Sequence, residues 1–327
     1  MFNSATFFRI ASDFVLPPMD ALEEALQAAR FVPCGATQTI SVGWVAPRKR
    51  KSTVLAETVG QQVILSLCTE RRVVPASAVR DAVDEKVEGY KAQTGCERVG
   101  AKMKKEFKED ALLGLLPRAF PKRSNTTLWL DPVNKFLVID SASSSGADQI
   151  VSYLVEALSR ASQACTGLLV KPVLTEMSAG AAMAHWLGSR EAPSDFTVDR
   201  ACELKMPDDQ KSTVRYSRHT LEIDEVAGHI ASGKRPTQLE LTWRGRVSFT
   251  LMDTAQIKKI KLLDVVLDAV KENAHTDDAF DADAAIVIGE LSLLIPDLLY
   301  ALGGEVDTDT GAAGAAGAVT VTVTVAK

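Results

Sequence analysis

Twice in this chain, two β-rich runs face each other across a gap that leaves room only for a turn. TTLWLD and KFLVID flank PVN, and the segment QLELTWRGRVSFTLM turns near Arg244 and Gly245. β-Branched and aromatic residues dominate both pairs, so each reads as an antiparallel hairpin. A hairpin commits neighbouring strands to opposite directions, whereas a parallel sheet needs a long crossover between every pair. Helical stretches fall between the β-rich runs without a regular βαβ rhythm. The expected class is therefore α+β, mixed hairpin sheets with helices, rather than a doubly wound sheet.

The remaining elements follow from local pattern. Ala5 to Ile10 reads as a strand, and MDALEEALQAARF as an amphipathic helix with Asp20 as N-cap and Glu23 completing a capping box. FVPCG ends that helix; ISVGWV and QQVILSL are strands separated by the basic loop PRKRKST. From Ser77 the spacing turns helical, with Val79, Val83, Val87 and Tyr90 on one face. A joint at Thr94 and Gly95 leads to a second helix over roughly Lys102 to Leu115, so residues 76–124 form a helical finger. SSSGADQIVSYLVEALSRA is a helix, LLVKPV a strand and LTEMSAGAAMAHWLG a helix. Glu191 to Asp209, polar and interrupted by Pro193 and Pro207, reads as a connector. Between Asp264 and Leu302 the pattern gives a helical run, an AAIVIG strand and a last helix ending at Gly303 and Gly304, kinked or started by Pro296. Residues 1–306 form the folded module; residues 307–327, a Gly/Ala spacer ending in VTVTVTV, read as a flexible tail whose last stretch could add to a sheet edge.

The common catalytic signatures are missing. The chain has no GxxxxGK[ST], no GxGxxG after a strand, no GxSxG and no HExxH. The five cysteines, Cys34, Cys68, Cys96, Cys165 and Cys202, lie far apart and share no metal-like spacing with the four histidines, which points to scattered reduced thiols. The serines of SASSSG need only helix capping to explain them. Asp281 and Asp283 read as a solvated turn, and His185 beside Trp186 as a packed histidine. No catalytic residue, metal or cofactor is expected. The N-terminus lacks the basic start and apolar run of a secretory signal, and no uninterrupted apolar stretch of spanning length is present.

Positive charge is the signal that recurs, although the formal net charge is -5. PRKRK holds Arg48, Lys49, Arg50 and Lys51. Arg98, Lys102, Lys104, Lys105, Lys108, Arg118, Lys122 and Arg123 crowd the finger; Lys211, Arg215, Arg218 and His219 form a third patch, and Lys258, Lys259 and Lys261 a fourth. On a helix, Arg98, Lys102 and Lys105 would share a face. Each patch alone could be a solvated surface, or it could neutralise phosphates without reading sequence. Four of them in an acidic chain imply a surface divided by sign.

LPRAFPKR, Leu116 to Arg123, is the odd segment. Pro117 and Pro121 stiffen it against helix, and Arg118, Lys122 and Arg123 surround Phe120. Phe120 is either an anchor folded onto the core or an apolar tip offered to a partner.

FVPCG, GWV, LLPRAF, the WLD…VIDSAS hairpin and the ending GEL…LGGE together resemble the recombination-associated RdgC family, in order from the N-terminus to about residue 306. The resemblance implies an α+β, horseshoe-shaped subunit that pairs two-fold into a ring and encircles double-stranded DNA through a positive inner surface. It implies binding without sequence preference, restraint of the RecA recombinase, no catalysis, and a cytoplasmic, nucleoid-associated location. The family's finger-tip phenylalanine falls on Phe120, and its second basic site falls near Ser217, Arg218 and His219. Ser217 stands where the family has a basic residue, His219 where it has an amide, and Gly100 and Ala101 where lysines are expected. The DNA-contacting set is then Arg98, Lys102, Lys104, Lys105, Arg118, Phe120, Lys122, Arg123, Arg215, Arg218 and His219. The competing expectations are a direct protein–protein inhibitor of the recombinase and a nuclease; the nuclease would need clustered carboxylates for two metals.

Overall fold

A computed structural model describes residues 2–48, 52–161, 170–208, 212–221, 224–273 and 279–306, with backbone alone for 269–273 and 279–281. The chain opens with β1 (Ser4–Ile10), α1 (Met19–Ala28), β2 (Ile40–Val45), β3 (Glu57–Val59) and β4 (Gln62–Arg72). Helices α2 (Ala76–Thr94) and α3 (Ala101–Leu115) and a 3-10 turn (Leu116–Arg118) follow, then β5 (Pro121–Asp131), β6 (Phe136–Ile139), α4 (Ser144–Ala161) and β7 (Val170–Pro172). The second half holds α5 (Ala179–Ser189), β8 (Phe196–Lys205), β9 (Thr213–Tyr216), α6 (Asp224–Ala231), β10 (Arg235–Trp243), β11 (Val247–Met252), β12 (Ile257–Leu262), α7 (Asp264–Asn273) and α8 (Ala279–Ala301).

All named strands join one antiparallel sheet in the order β2-β4-β5-β6-β1-β12-β11-β10-β8-β9, with β3 on β4 and β7 on β1. The class is α+β, as the two hairpins require. Asp131 makes the first turn, accepting the N–H groups of Val133 and Asn134 at 3.0 and 2.8 Å. In the second, Arg244 and Gly245 both take positive φ, the backbone that suits the twist of a tight hairpin. Strand β1 joins the two halves. Ser4 and Ala5 pair with β12, Thr6 to Arg9 with β6, and Phe8 to Ile10 with β7.

Alternation along the strands feeds two cores. Val63, Leu65 and Leu67 of β4, with Leu128 and Leu130 of β5, pack under α1 and α4 through Leu22, Leu26, Leu154 and Leu158. Ile64, Trp129 and Val138 face the other way, into a core shared with α5, α8 and the inward residues of β10 and β11. Leu291, Leu294 and Leu298 of α8, and Leu302 just after its end, are all fully buried there. Helix α8 is also long and apolar enough to cross a membrane by length and composition, but these leucines fill the core.

Four local expectations are corrected. AAIVIG belongs to α8 and is not a strand; a short apolar run cannot be told from a buried helix segment by periodicity. Pro296 lies inside that helix, which ends at Gly303 and Gly304 with φ near 90°. The connector over Glu191 to Asp209 contains β8, a ten-residue strand whose register shifts against β10 blur its alternation. Asp20 is not the N-cap of α1: Pro18 holds that place, and Glu23 instead accepts the N–H groups of Leu55 and Ala56. His185 is exposed, and its neighbour Trp186 is the packed residue. Ser143 does cap α4, accepting the Gly146 N–H at 3.3 Å. Asp283 lies exposed on α8; the tail 307–327, Cys165, Lys49 to Lys51 and Lys211 lie outside the described residues.

Candidate nucleic-acid interface

Strands β4 and β5 pair without interruption from Val63↔Leu130 to Arg72↔Pro121. The finger, α2 and α3, is therefore inserted at the open end of a long antiparallel ribbon. Pro121 can begin β5 because the first residue of a strand can dispense with its N–H. Gly95, in the left-handed region at φ 69°, ends α2, and Gly100 starts α3. Tyr90 meets the Phe107 ring edge-on at 5.9 Å, and Lys86 pairs with Asp110 at 3.2 Å. Val79 and Ala111 are the buried residues of the two helices; Val83 and Val87 are half covered.

Alternation sorts the ribbon's end. Glu70 and Arg123 are directly opposite, and Arg123 donates to the fully buried Glu70 carboxylate. Glu70 also accepts the Cys34 N–H at 2.7 Å, tying the FVPCG loop to the sheet. The Arg123 bond and then the Cys34 N–H hold the Glu70 carboxyl below its ordinary range. Burial raises the Cys34 thiol, with Glu70 adding to the effect. Two residues on, Arg72 aims one guanidinium nitrogen at the carbonyls of Leu116, Pro117 and Ala119, each at 3.3 Å, and the other at the Cys34 carbonyl. One side chain thus clamps the whole LPRA turn. The loop in turn rests on GWV: a Cβ on Gly43 would lie 2.4 Å from the Phe31 Cα.

Held by this clamp, Phe120 points outward and is 92% exposed. Phe120 is therefore an exposed tip and not an anchor folded onto the core. LPRAFPKR is not one loop, however: it is a 3-10 turn followed by a strand, and Lys122 and Arg123 belong to β5. Arg98 is corrected as well. It lies in the link between the two glycines, so it shares no helical face with Lys102 and Lys105. Lys102, Lys104 and Lys105 are exposed on α3, with Lys105 3.9 Å from Glu109. Among the described residues, Arg98, Lys102, Lys104, Lys108, Arg118 and Lys122 carry no ion pair, whereas Arg123 is committed to Glu70.

The third patch repeats this arrangement at the far end of the sheet. Arg215 of β9 faces Glu203 of β8 and donates to its buried carboxylate, with Nε at 2.9 Å. Lys205 reaches the same group at 2.8 Å and Thr237 at 3.2 Å. Burial works to raise the Glu203 pKa, but the bonds from Lys205 and Arg215 outweigh it and bring it down to about 2. Arg218 follows in a turn with φ 57°, and His219 contacts the Thr220 carbonyl through Nδ1 at 2.8 Å; both are exposed. The structure thus places the predicted residues in two groups, the finger with its base and the β8–β9 end. Arg71, Arg72, Val73 and Glu70 were not among the residues expected. Their signal was the ERRVV that ends an alternating strand, where a glutamate occupies a buried position.

The comparisons fit the motifs. Residues 1–305 match a family model described as "Putative exonuclease, RdgC". The chain is 40% identical over 289 residues to the recombination-associated protein RdgC of Dechloromonas aromatica, covering 87% of this chain and 91% of the relative. It is 37% identical over 305 residues to the protein of the same name from Herminiimonas arsenicoxydans, covering 93% and 98%. A match of this length, carrying FVPCG, GWV and LLPRAF on one connected structure, makes the chain a member of the RdgC family of recombination-associated proteins.

Proposed function

We propose that this protein is a non-enzymatic, sequence-independent binder of double-stranded DNA, and that it limits access of the RecA recombinase by occupying its DNA. The observation that carries this reading is the finger. It is a helical hairpin projecting from a sheet ribbon, with Arg98, Lys102, Lys104, Lys108, Arg118 and Lys122 exposed and, among the described residues, without carboxylate partners. Cations without ion-pair partners are what phosphate neutralisation uses. In this reading two horseshoe-shaped subunits close isologously into a ring, base faces the hole and acid faces solvent, and the net charge says little about the binding surface. The protein then acts in the cytoplasm on the nucleoid.

The test is equilibrium binding to unrelated duplexes over a range of salt. A steep log–log dependence, nearly equal between sequences, is expected. A flat response, with recombinase bound directly, would favour the protein–protein inhibitor. The exonuclease named in the family description calls for acids clustered around metal, and among the described residues no three His, Cys, Asp or Glu are so placed. Incubation with DNA and magnesium checks it: product lost on an acid-to-alanine change would overturn the non-enzymatic reading.

A further inference from the structure

The β2 end of the sheet carries an open edge. Trp44 turns its backbone outward there: its N–H donates to the Ala29 carbonyl at 3.0 Å, and its carbonyl accepts the Phe31 N–H at 2.9 Å. Outward and inward residues alternate along an antiparallel strand. Ile40 and Val42 therefore also point their N–H and C=O groups away from β4, and among the described residues these groups have no hydrogen-bond partner. The Val42 and Trp44 side chains lie together in the core under α1 and α4. With Leu67, Tyr153 and Ala157 they border a cavity of about 300 Å³. At its rim, Arg160 pairs with Glu156 at 2.6 Å and Arg30 reaches Gln27 at 3.4 Å. The groove thus asks for backbone partners and an apolar filling rather than for charge.

One segment of the chain has that pattern. Residues 319–325, VTVTVTV, lie outside the described residues and place a valine at every second position. On a strand added to β2, the residues opposite Ile40 and Val42 share their face of the sheet. Valines there would meet Trp44, Leu67 and Ala157, and the threonines between them would fall on the Ser41 side. The strand at the opposite end of the sheet, β9, offers four residues set among Arg215, Arg218 and His219 instead.

The distance permits the pairing. Val306 is held beside β7: its N–H donates to the Leu174 carbonyl at 3.0 Å, and Glu305 accepts from Arg9 Nε at 2.7 Å. Five strand spacings separate β7 from β2, through β1, β6, β5 and β4, or about 24 Å. Pro172, Phe8, Leu137, Leu130 and Val63 stand in one row across them, and Thr69, opposite Val42, is six residues farther along β4. Those six residues add about 20 Å at right angles, which makes the path about 31 Å. Residues 307–318 can span about 40 Å, and the last eight of them are Gly and Ala.

We propose that residues 319–325 add to β2 as an edge strand of the same subunit, covering Ile40 and Val42 and filling the cavity. An edge so covered no longer offers a template for pairing with other chains. The segment lies beyond the residues matched to the family, 1–305, and the proposal does not rest on the DNA-binding reading.

The experiment follows amide hydrogen exchange in the full chain. The Ile40 and Val42 N–H groups should exchange at least about tenfold more slowly than in a Val321→Asp, Val323→Asp double variant. Ser41 and Gly43, whose N–H groups point to β4, should be equally protected in both, which checks that the sheet is intact. Adding the peptide AVTVTVTVAK at about 1 mM to the variant should restore protection at Ile40 and Val42. Fast exchange of these two amides in the unaltered chain, slow exchange that the double variant keeps, or no recovery with the peptide overturns the proposal. Mixing the isotope-labelled double variant with unlabelled, unaltered chain identifies the donor of the strand. Protection that returns on mixing would assign it to a second copy and refute the cover within one subunit.

Discussion

The two ends of the sheet solve one problem with the same pair of residues. At the β4–β5 end, Arg123 lies across from buried Glu70; at the β8–β9 end, Arg215 lies across from buried Glu203. The difference is in what else each carboxylate holds. Glu70 takes the backbone N–H of Cys34 and so fastens a loop, the one that seats the root of the finger. Glu203 takes Lys205 of its own strand and Thr237 of β10, so with Arg215 of β9 it ties β8 to the strands on both sides. Arginines that look alike in sequence thus serve as structural ties, while Lys102, Lys104 and Lys108 of the neighbouring α3 carry no ion pair among the described residues. Counting cations does not tell the two apart; register does.

The strongest way to break the comparison is at the loop. Gly43→Ala should drive a methyl into the Phe31 backbone and cost about 3 kcal/mol of stability, seen as a lower urea midpoint. A midpoint unchanged by this variant would mean that the loop does not bear on the sheet. Next comes Glu203→Gln, which removes the charge that Arg215 and Lys205 answer; about 2 kcal/mol is expected. Because the Glu203 pKa is depressed, its contribution is complete above the ordinary value of 4.5 and is lost as pH falls toward about 2. Wild type should therefore lose stability over that window, and Glu203→Gln should show a shallower acid limb in melts taken between pH 5 and pH 2. Equal acid limbs would remove the assignment.

The finger should behave in the opposite sense. Changing Lys102, Lys104 and Lys108 together to Ala should reduce the salt slope of duplex binding by about 3, with a melting temperature close to wild type. A large stability loss with the slope intact would make them structural, like Arg123 and Arg215. The smallest effect on folding is expected from Phe120→Ala, within about 0.5 kcal/mol, because the ring is 92% exposed. A loss of several kcal/mol would place it in a core.

Much of this was legible in the chain. The two hairpins, the finger and its glycine joint, and the exposed tip all follow from local pattern, because turn chemistry and helical spacing act over a few residues. Elements whose identity depends on distant packing were misread. AAIVIG looks like a strand until Leu291, Leu294 and Leu298 continue it as one buried helix face. β8 is polar enough to read as a connector until β10 supplies its ladder. The role of Arg123 was out of reach for the same reason: its partner lies on another strand, and only the pairing register brings Glu70 beside it.

Strand β1 has a consequence for how the molecule comes to be folded. It is the first strand synthesised, yet its partners are residues 136–139, 170–172 and 257–258. Such long sequence separations slow folding, since the chain must close large loops before the contacts repay the entropy. During synthesis the opening strand waits, one edge unpaired until the β5–β6 hairpin emerges, and the other until β7 covers Phe8 to Ile10 and β12 covers Ser4 and Ala5. The first half can close around α1 and α4 early, but the joint between the halves is made only when most of the chain is out. Truncation before residue 257 should therefore leave a nascent chain with an open strand edge, a state prone to aggregate.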